Sequence, residues 1–431
     1  MRFALFFTIL LTLTATLGVY LHHRAAALLG LARRGRRVLA ALLVAGIAAL
    51  PAGRFARGVL PDGLLRALTM VGWVLALSIL ITAILLAVVD LGRLLARAAA
   101  RLVAGRAPAP PDPPAPAAVA PAAVAPDITA FSAAPAASPA PLAPPIAPPV
   151  SRRVFLSKGA AASAFLIGGG SSLYGALLGR HDYVIEEIAI PIPGLPRALD
   201  GFTIVQLSDI HLGLFVGEPE VNAALDLVRK ARGDLIVLTG DLVDYDPRYA
   251  DSLGSLARRL SPLAREGVVA IPGNHDHFTG IEPILSALRR GGADVLKNRG
   301  RAIGGPGGAF ALLGVDDVWA SRMKVPGGGP DLAAAIATVP RDLPRVLLCH
   351  NPVFFPEAAG EVALQLSGHT HGGQVNVLVR PANWVLPHGY VAGLYQRGAS
   401  RLYINRGFGT AGPPARVGAP PEVSRIVLVS A

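Results

Sequence analysis

The sequence predicts an α/β domain that is preceded by a multi-span transmembrane helical region. The first observation is composition: of 431 residues, 52% are hydrophobic and 16% are charged, and the mean hydropathy is +0.50. Soluble domains usually have about 25% charged residues. The second observation is that short apolar runs alternate with amphipathic segments of helical period from about residue 184 onward. Such alternation predicts a layered α/β fold.

Composition divides the chain into four parts. Residues 1–106 form the predicted transmembrane helical region, and residues 107–150 are a linker of mostly proline and alanine. Proline at this density prevents a continuous helix and favours an extended spacer. Residues 151–180 contain a fourth hydrophobic segment, and residues 181–431 form the predicted α/β domain.

Four segments are candidates for crossing a bilayer, which requires about 20 apolar residues in a helix. The first covers residues 3–21, and the second covers about 36–53, of which only 38–50 are continuously apolar. This second segment crosses only if its helix includes the flanking residues. Residues 67–91 form the strongest candidate, and residues 154–178 form a weaker one that is rich in glycine, alanine and serine.

The net positive charge comes entirely from the apolar half of the chain. Residues 1–180 hold 17 Lys and Arg against 4 Asp and Glu, whereas residues 181–431 hold 23 against 24. The α/β domain therefore lacks the basic excess of a nucleic-acid-binding protein, and we expect no nucleic-acid partner. The loops after the first and third spans are richest in arginine, which is retained in the cytoplasm. With four spans, the α/β domain then lies at the outer face of the cytoplasmic membrane.

A short motif precedes the fourth hydrophobic segment. Ser151–Leu156 reads Ser-Arg-Arg-Val-Phe-Leu, and Lys158 follows. The motif resembles a twin-arginine export signal, although its lysine comes one position late and three predicted spans precede it. The alternative is an ordinary fourth helix with two cytoplasmic arginines. Both interpretations place the α/β domain outside, and the absence of a small-x-small cleavage motif favours a retained anchor.

Polar residues of metal-ligand type follow five of the apolar runs. They are Asp209 and His211, then Asp241 and Asp244, then Asn274, His275 and Asp276, then His350, and finally His369 and His371. The carboxyl ends of strands line the functional crevice of α/β folds, so we expect these side chains to converge. Mixed carboxylate, amide and imidazole ligands suit Mn, Fe or Zn better than Ca or Mg.

The spacing of His369 and His371 predicts an extended segment or a loop rather than a helix. Side chains at positions i and i+2 point to the same face of an extended segment, whereas on a helix they diverge by about 200°. The apolar run before this pair supplies the predicted strand. We therefore expect both rings to lie on one face.

Taken in order, these motifs resemble those of the calcineurin-like metallophosphoesterase superfamily. The blocks are Asp-x-His, Gly-Asp-x-x-Asp, Gly-Asn-His-Asp, an isolated histidine and Gly-His-Thr-His. The resemblance covers about residues 184–431. The segment from Gly389 to Val423 is similar to a bacterial membrane-anchored phosphodiesterase branch, some of whose members carry twin-arginine signals. The resemblance implies a layered β-sandwich flanked by helices, and it implies hydrolysis of phosphate esters.

The same resemblance implies a site for two divalent metal ions, which would be Mn, Fe or Zn. The residues implied for the first ion are Asp209, His211, Asp241 and His371. Those implied for the second ion are Asp241 again, Asn274, His350 and His369. His275 would face the substrate phosphate, and Asp276 would either orient His275 or only cap the helix that follows. We interpret Asp244 as a brace of its loop rather than as a ligand.

The expected function is that of a membrane-anchored phosphodiesterase in which two metal ions activate a hydroxide. The expected partners are a phosphoester substrate and the membrane, and tethering favours a lipid or cell-envelope compound as the substrate. Two alternatives stay open. One is a UDP-2,3-diacylglucosamine-type pyrophosphatase of lipid A biosynthesis, whose substrate is cytoplasmic, and the other is a non-catalytic receptor or scaffold. The predicted spans contain no charged residue near a bilayer centre, which argues against a transporter.

Overall fold

The computed structural model describes residues 2–104 and 152–431, so the predicted linker at 107–150 lies outside the described residues. Helices form the N-terminal part, and an α/β domain with two sheets follows. The helices before the domain are α1 (Arg2–Leu28), α2 (Arg33–Ala49), α3 (Ala52–Phe55), α4 (Asp62–Ala104) and α5 (Arg152–Leu177).

Within the part of the chain that the structure describes, two helical segments have the length and composition of membrane spans. These segments are Asp62–Leu102 and Phe155–His181. They overlap the third and fourth predicted spans. Helices α1 and α2 cover most of the first two predicted spans, and the passage of these helices through a bilayer stays a prediction.

Small residues bring the N-terminal helices into close contact. Gly72 of α4 packs on the backbone of Leu50, where a Cβ would lie 2.6 Å from the leucine Cα. Gly168 of α5 packs on Thr82 of α4, where a side chain would clash with the threonine hydroxyl. Close approach through small residues is typical of helices that pack in membranes. The segment between α2 and α3 is therefore held against the N-terminal half of α4.

Two six-stranded mixed sheets form the α/β domain. The strands are β1 (Val184–Ile192), β2 (Thr203–Leu207), β3 (Leu235–Thr239), β4 (Val268–Ile271), β5 (Asp294–Val295), β6 (Arg299–Gly305), β7 (Gly308–Gly314), β8 (Arg345–Leu348), β9 (Leu364–Ser367), β10 (Gly393–Arg397), β11 (Ser400–Ile404) and β12 (Glu422–Ser430). The first sheet has the order β1-β12-β2-β3-β4-β5, and the second has the order β10-β11-β9-β8-β7-β6.

The five apolar runs that precede the polar motifs are confirmed as strands β2, β3, β4, β8 and β9. Strands β2, β3 and β4 pair in parallel, as do β8 and β9, so the carboxyl ends within each group meet at one edge. Sequence analysis did not predict the parallel pair of β1 and β12. Exposed residues interrupt the apolar pattern of β1, which therefore lacks the signature of a buried strand.

Helices of the α/β domain lie between the strands along the chain. They are α6 (Glu218–Ala231), α7 (Ala250–Leu260), α8 (Asn274–Thr279), α9 (Ile281–Arg290), α10 (Val318–Arg322), α11 (Leu332–Ala337), α12 (Phe355–Ala358) and α13 (Ala382–Val385). Helices α6, α7 and α9 pack on the outer face of the first sheet, and α11 packs on the outer face of the second.

An apolar layer between the two sheets forms the centre of the domain. Ile204 and Val237 of the first sheet contribute to it, together with Phe310, Leu348 and Leu366 of the second, and all five side chains are fully buried. Alternate residues such as Val205 point to the opposite face and pack under the outer helices, as the two-residue period of a strand requires. The predicted layered β-sandwich with flanking helices is therefore the observed architecture.

Two ion pairs, one of them buried, join the N-terminal helices to the α/β domain. Glu220 of α6 lies 3.3 Å from the guanidinium of Arg180 and 3.4 Å from that of Arg66 (Oε1 to Nη2). Both arginines also donate to the backbone carbonyl of Phe215, at 2.7 Å from Arg180 and 3.3 Å from Arg66. The side chains of Arg180 and Glu220 are almost completely buried. The helices are therefore attached to the domain through specific contacts with the loop before α6.

We expect Glu220→Gln to lower the free energy of unfolding of the full chain by about 3 kcal/mol, because it leaves the buried guanidinium of Arg180 without its counter-charge. The matched control is Glu218→Gln, which changes an exposed carboxylate that pairs with Arg259 and should have little effect. Denaturant unfolding of the detergent-solubilised protein measures both. Equal stability of the two variants would contradict this role of Glu220.

Candidate metal centre

Most of the predicted ligands lie in loops with a left-handed backbone conformation. Asp209, His211, Asp241, His369 and His371 have φ angles between 51° and 72°. This conformation is uncommon for residues other than glycine and costs about 1 kcal/mol or more at each position. Backbone hydrogen bonds between the loops support it, including one of 3.0 Å from the N–H of His211 to the carbonyl of Asp241. Sharp turns after the strands therefore direct these side chains into one crevice.

The segment that contains His369 and His371 is a loop after β9 and not an extended strand. His369 lies with Asp241 and His350, whereas His371 lies with Asp209 and His211. The segment is therefore a loop, one of the two forms predicted, and its two rings enter neighbouring clusters instead of lying on one face of a strand. The positive φ of both residues turns the backbone between them, which places the rings in neighbouring clusters.

Three side chains form the first cluster, namely Asp209, His211 and His371, and Asp241 lies at its edge. His211 Nε2 lies 3.1 Å from His371 Nε2 and 3.8 Å from Asp241 Oδ2. His371 Nε2 lies 3.4 Å from Asp209 Oδ1. Metal–ligand bonds of about 2.1 Å separate neighbouring ligand atoms by about 3.0–3.4 Å. The spacing of Asp209, His211 and His371 therefore fits one cation of the size of Zn or Mn, and Asp241 Oδ2 lies just beyond this spacing.

The second cluster contains Asp241, His350 and His369. His350 donates from Nδ1 to the carbonyl of Thr239 at 2.7 Å, so the neutral ring has its lone pair on Nε2. This Nε2 lies 3.2 Å from Asp241 Oδ2, which is also an acceptor. Two acceptors at this distance repel each other unless a cation or a proton lies between them.

Several buried atoms at the centre have no hydrogen-bond partner among the described residues. They are Nε2 of His350, Nδ1 of His369, Nδ1 of His211 and Oδ1 of Asn274. Buried polar atoms almost always have a partner, and a missing ion is a standard explanation when they do not. The residues present therefore fit a pair of metal ions, and Asn274 Oδ1 is available in the loop that contacts Asp241 through the N–H of His275.

Burial and neighbouring charges set the protonation of the ligands. Burial and the Arg416 guanidinium hold the pKa of His371 well below its ordinary value, and burial lowers the pKa of His369 to about 3. Both rings are therefore neutral, which is the form that binds metal. Burial raises the pKa of Asp209, an effect that a bound cation opposes. His350 and His275 hold the pKa of Asp241 well below its ordinary value despite burial.

His275 lies at the rim of the centre with Asp244 beside it. His275 Nδ1 is 3.0 Å from Asp244 Oδ1, and the same oxygen is 3.6 Å from His211 Nδ1. Burial lowers the pKa of His275, but Asp241 and Asp244 outweigh it and raise the pKa to about 9. We interpreted Asp244 as a loop brace from the sequence, whereas its carboxylate contacts two imidazoles of the centre. The contact depends on two loops meeting, and nothing in the spacing of the motif indicated it.

The carboxylate of Asp276 contacts backbone amides and not the ring of His275. It accepts from Leu242 and Val243 at 2.9 and 3.1 Å and from Gly273 at 2.9 Å. Burial and Asp241 raise its pKa to about 6. Of the two roles considered for Asp276, this geometry favours capping of α8, and it adds a brace of the loop that carries Asp241.

Arg416 was not singled out in the sequence, yet its guanidinium is completely enclosed behind the first cluster. It donates to the carbonyls of Arg406 at 2.7 Å and Gly407 at 3.0 Å, and its Nη2 lies 3.2 Å from His371 Nδ1. The cation therefore fixes the loop of His371 and adds positive charge to the centre. No local motif marks this arginine, because its partners are backbone groups from distant loops.

Comparison with known proteins assigns the chain to a family. Residues 202–373 match the family model of the calcineurin-like phosphoesterases. The chain is 33% identical over 289 residues to the uncharacterized metallophosphoesterase YkuE of Bacillus subtilis (strain 168), an alignment that covers 65% of this chain and 98% of YkuE. The chain belongs to the calcineurin-like phosphoesterase family. It is therefore a metal-dependent hydrolase of phosphoric ester bonds, so the alternative of a non-catalytic scaffold is not retained.

Two further relatives bear on this calcineurin-like phosphoesterase. It is 35% identical over 235 residues to the phosphodiesterase YaeI of Escherichia coli (strain K12), which covers 53% of this chain and 82% of YaeI. It is 31% identical over 268 residues to a transmembrane protein with metallophosphoesterase domain of Danio rerio, which covers 60% of each chain. The transmembrane relative and the two long apolar helices suggest a membrane anchor. The twin-arginine branch stays a prediction.

We expect Asp241→Ala to abolish binding of both metal ions, because this carboxylate belongs to the second cluster and lies 3.8 Å from His211 of the first. Metal analysis of the purified full chain after incubation with Mn, Fe or Zn measures the loss. Asp246→Ala is the matched control, since Asp246 carries a carboxylate five residues later that pairs with Arg248 and should leave the metal content unchanged. Retention of two ions by Asp241→Ala would contradict the assignment of this residue.

Proposed function

We propose that this calcineurin-like phosphoesterase is a membrane-anchored phosphodiesterase. Its catalytic domain lies at the outer face of the cytoplasmic membrane, and it hydrolyses phosphate esters of lipid or cell-envelope compounds. The observation that carries the proposal is the pair of buried clusters joined by Asp241, at the strand ends that face the N-terminal helices. A centre of this kind suits hydrolysis of phosphate esters. Its position next to the N-terminal helices favours a substrate that comes from the membrane.

The proposed ligands divide between two ions, with Mn, Fe or Zn as the candidates. Those of the first ion are Asp209, His211, Asp241 and His371, and those of the second are Asp241, Asn274, His350 and His369. When bound, two divalent ions would neutralise phosphate charge and lower the pKa of coordinated water toward neutrality. The ligand set contains only two carboxylates, so it leaves a net positive centre that attracts a phosphate anion.

His275 is the proposed catalytic residue beside the metal ligands. Its ring is partly accessible, lies next to His211 at 4.6 Å between ring centroids, and faces the cavity above the centre. Asp244 holds Nδ1 and thereby fixes the ring orientation. The other ring nitrogen is then free to stabilise charge on a phosphate oxygen or to protonate the leaving alkoxide. Asp276 supports this arrangement through the loop backbone.

His275→Ala should retain both metal ions but lose about 10²–10⁴-fold in kcat, because only the proton donor is removed. Turnover of bis-p-nitrophenyl phosphate by the full chain measures this, with metal content determined on the same samples. His388→Ala is the control, since His388 is exposed and is not among the residues that line the cavity above the centre. Unchanged kcat in His275→Ala would remove the proposed role.

Contacts at the two ends of α4 support the proposed orientation. Near its N-terminus, Asp62 pairs with Arg248 of the α/β domain at 3.1 Å. Toward its other end, Asp90 pairs with Arg24 at 3.2 Å and with Arg93 at 3.2 Å. The loop before α4 therefore lies on the side of the α/β domain. Arg24 and Arg93, which follow the first and third predicted spans, share Asp90 far along α4 from this loop, and this pairing supports a four-span topology.

An exposed apolar patch of the α/β domain also supports proximity to the bilayer. Leu378, Trp384 and Val385 are each more than 70% exposed. The preceding residues Val375 and Val377 pack against apolar side chains of α4 and α5. Soluble surfaces rarely expose such groups together. A patch that continues from two long apolar helices suits the headgroup region of a membrane.

Fusion of a reporter after Ala431 tests the location of the catalytic domain. We expect alkaline phosphatase fused there to be active, because this enzyme functions only outside the cytoplasm, and a fusion after Gly30 to be inactive. Green fluorescent protein at the same positions should give the reverse pattern. A cytoplasmic C-terminus would contradict the topology and would favour a cytoplasmic nucleotide–lipid substrate, as in the UDP-2,3-diacylglucosamine-type alternative.

A further inference from the structure

A cavity of about 660 Å³ lies directly above the metal centre. His211, Asp244 and His275 line its inner end, so a molecule that enters it reaches the proposed catalytic groups. Its size is in the range of sites that bind small molecules. The cavity therefore has to admit the substrate, and its walls contribute to substrate selection.

The walls of this cavity are mainly apolar and come from both parts of the chain. The N-terminal helices contribute Leu50, Gly53, Thr69 and Trp73, and the α/β domain contributes Phe215, Tyr245, Phe278, Trp319 and Met323. Polar groups are concentrated at the inner end, near the metal centre. A phosphate is thus directed to one end of the cavity, and the rest suits an apolar group.

The wall that the helices contribute is fixed by specific packing. Arg66 and Arg180 hold the carbonyl of Phe215 against α4 and α5, as described above. Gly72 allows the backbone of Leu50 to approach α4. On the other wall, the rings of Phe278 and Trp319 meet edge to face at 6.1 Å between centroids. The two parts of the chain therefore form one preformed pocket.

Trp73 lies six residues inside the predicted span at 67–91 and about 16 Å along α4 from Asp62. One wall of the cavity thus belongs to a segment with the composition of a membrane helix. A chain that enters from the bilayer keeps apolar surroundings while its phosphate reaches His275. A fully polar substrate would instead leave most of this wall without complementary contacts.

We propose that this cavity binds the apolar chain of a lipid phosphoester, with Trp73 of α4 and Met323 and Trp319 of the α/β domain as specificity-determining residues. This inference rests on the proposed phosphoesterase function and names its substrate class: an amphiphile with a phosphate ester next to an alkyl or acyl chain. The N-terminal helices are then part of the substrate site as well as an anchor.

A chain-length series tests the proposal on the full chain in lipid nanodiscs. The probes are methyl, butyl and octyl p-nitrophenyl phosphate, which share the leaving group and differ only in the alkyl chain. Transfer of one methylene from water to an apolar site is worth up to about a fourfold gain in binding. We expect kcat/KM to rise at least 100-fold from methyl to octyl in the wild-type protein.

The variants Trp73→Ala and Met323→Ala should each reduce this methyl-to-octyl ratio by at least tenfold. Tyr174→Ala is the matched control: it removes an exposed aromatic ring from α5 outside the cavity and should keep the wild-type ratio. If Trp73→Ala fails to fold, Met323→Ala on the opposite wall still tests the pocket. If a folded Trp73→Ala variant keeps the wild-type methyl-to-octyl ratio of kcat/KM, the proposed contribution of α4 to substrate binding is overturned.

A binding measurement without turnover provides an independent readout. Trp73 and Trp319 line the cavity, so octylphosphonate should change the intrinsic fluorescence of the metal-free chain at concentrations where methylphosphonate does not. If octylphosphonate and methylphosphonate change the fluorescence equally, the proposal is overturned. If the enzyme hydrolyses the esters but kcat/KM does not rise with the length of the alkyl chain, only the proposal of an apolar pocket is overturned. If no ester is hydrolysed with Mn, Fe or Zn, the result would instead contradict the proposed phosphodiesterase function.

Discussion

The buried carboxylate of Asp241 is shared by two groups of imidazoles, and this sharing organises the centre. Oδ2 lies 3.2 Å from His350 Nε2 and 3.8 Å from His211 Nε2, while Oδ1 accepts the backbone N–H of His275 at 2.7 Å. Loops from both sheets therefore meet at one side chain. Acceptors packed so closely are stable together only when positive charge lies between them, and the same requirement makes the centre able to bind phosphate.

Tight packing around that carboxylate depends on residues without a side chain. A Cβ on Gly273 would clash with Asp241, and a Cβ on Gly368 would clash with Ser208 and Asp209. The chain must turn sharply after each strand to bring the loops into contact. This requirement explains both the left-handed conformation of the ligands and the glycines beside them. The buried cation of Arg416 then holds the loop of His371 through backbone carbonyls.

The N-terminal helices and the α/β domain form one structural unit around the cavity above the metal centre. Glu220 and its two arginines connect α4 and the end of α5 to the loop of Phe215, which lines the cavity. Through this connection, the proposed membrane anchor and the proposed active site would share residues. Composition separates the N-terminal region from the α/β domain at residue 181. The proposed functional site contains residues from both sides of this boundary.

The sequence by itself determined the strands β2, β3, β4, β8 and β9 and the residue types at their ends, because buried parallel strands are continuous apolar runs and their polar termini are local patterns. It also determined the order of motifs that identifies the family. Only the tertiary structure decided that Asp244 contacts His275, that β1 pairs with β12, and that Trp73 lies above the metal centre. These contacts join residues from distant parts of the chain, and such pairings depend on how the layers and helices pack rather than on any local period.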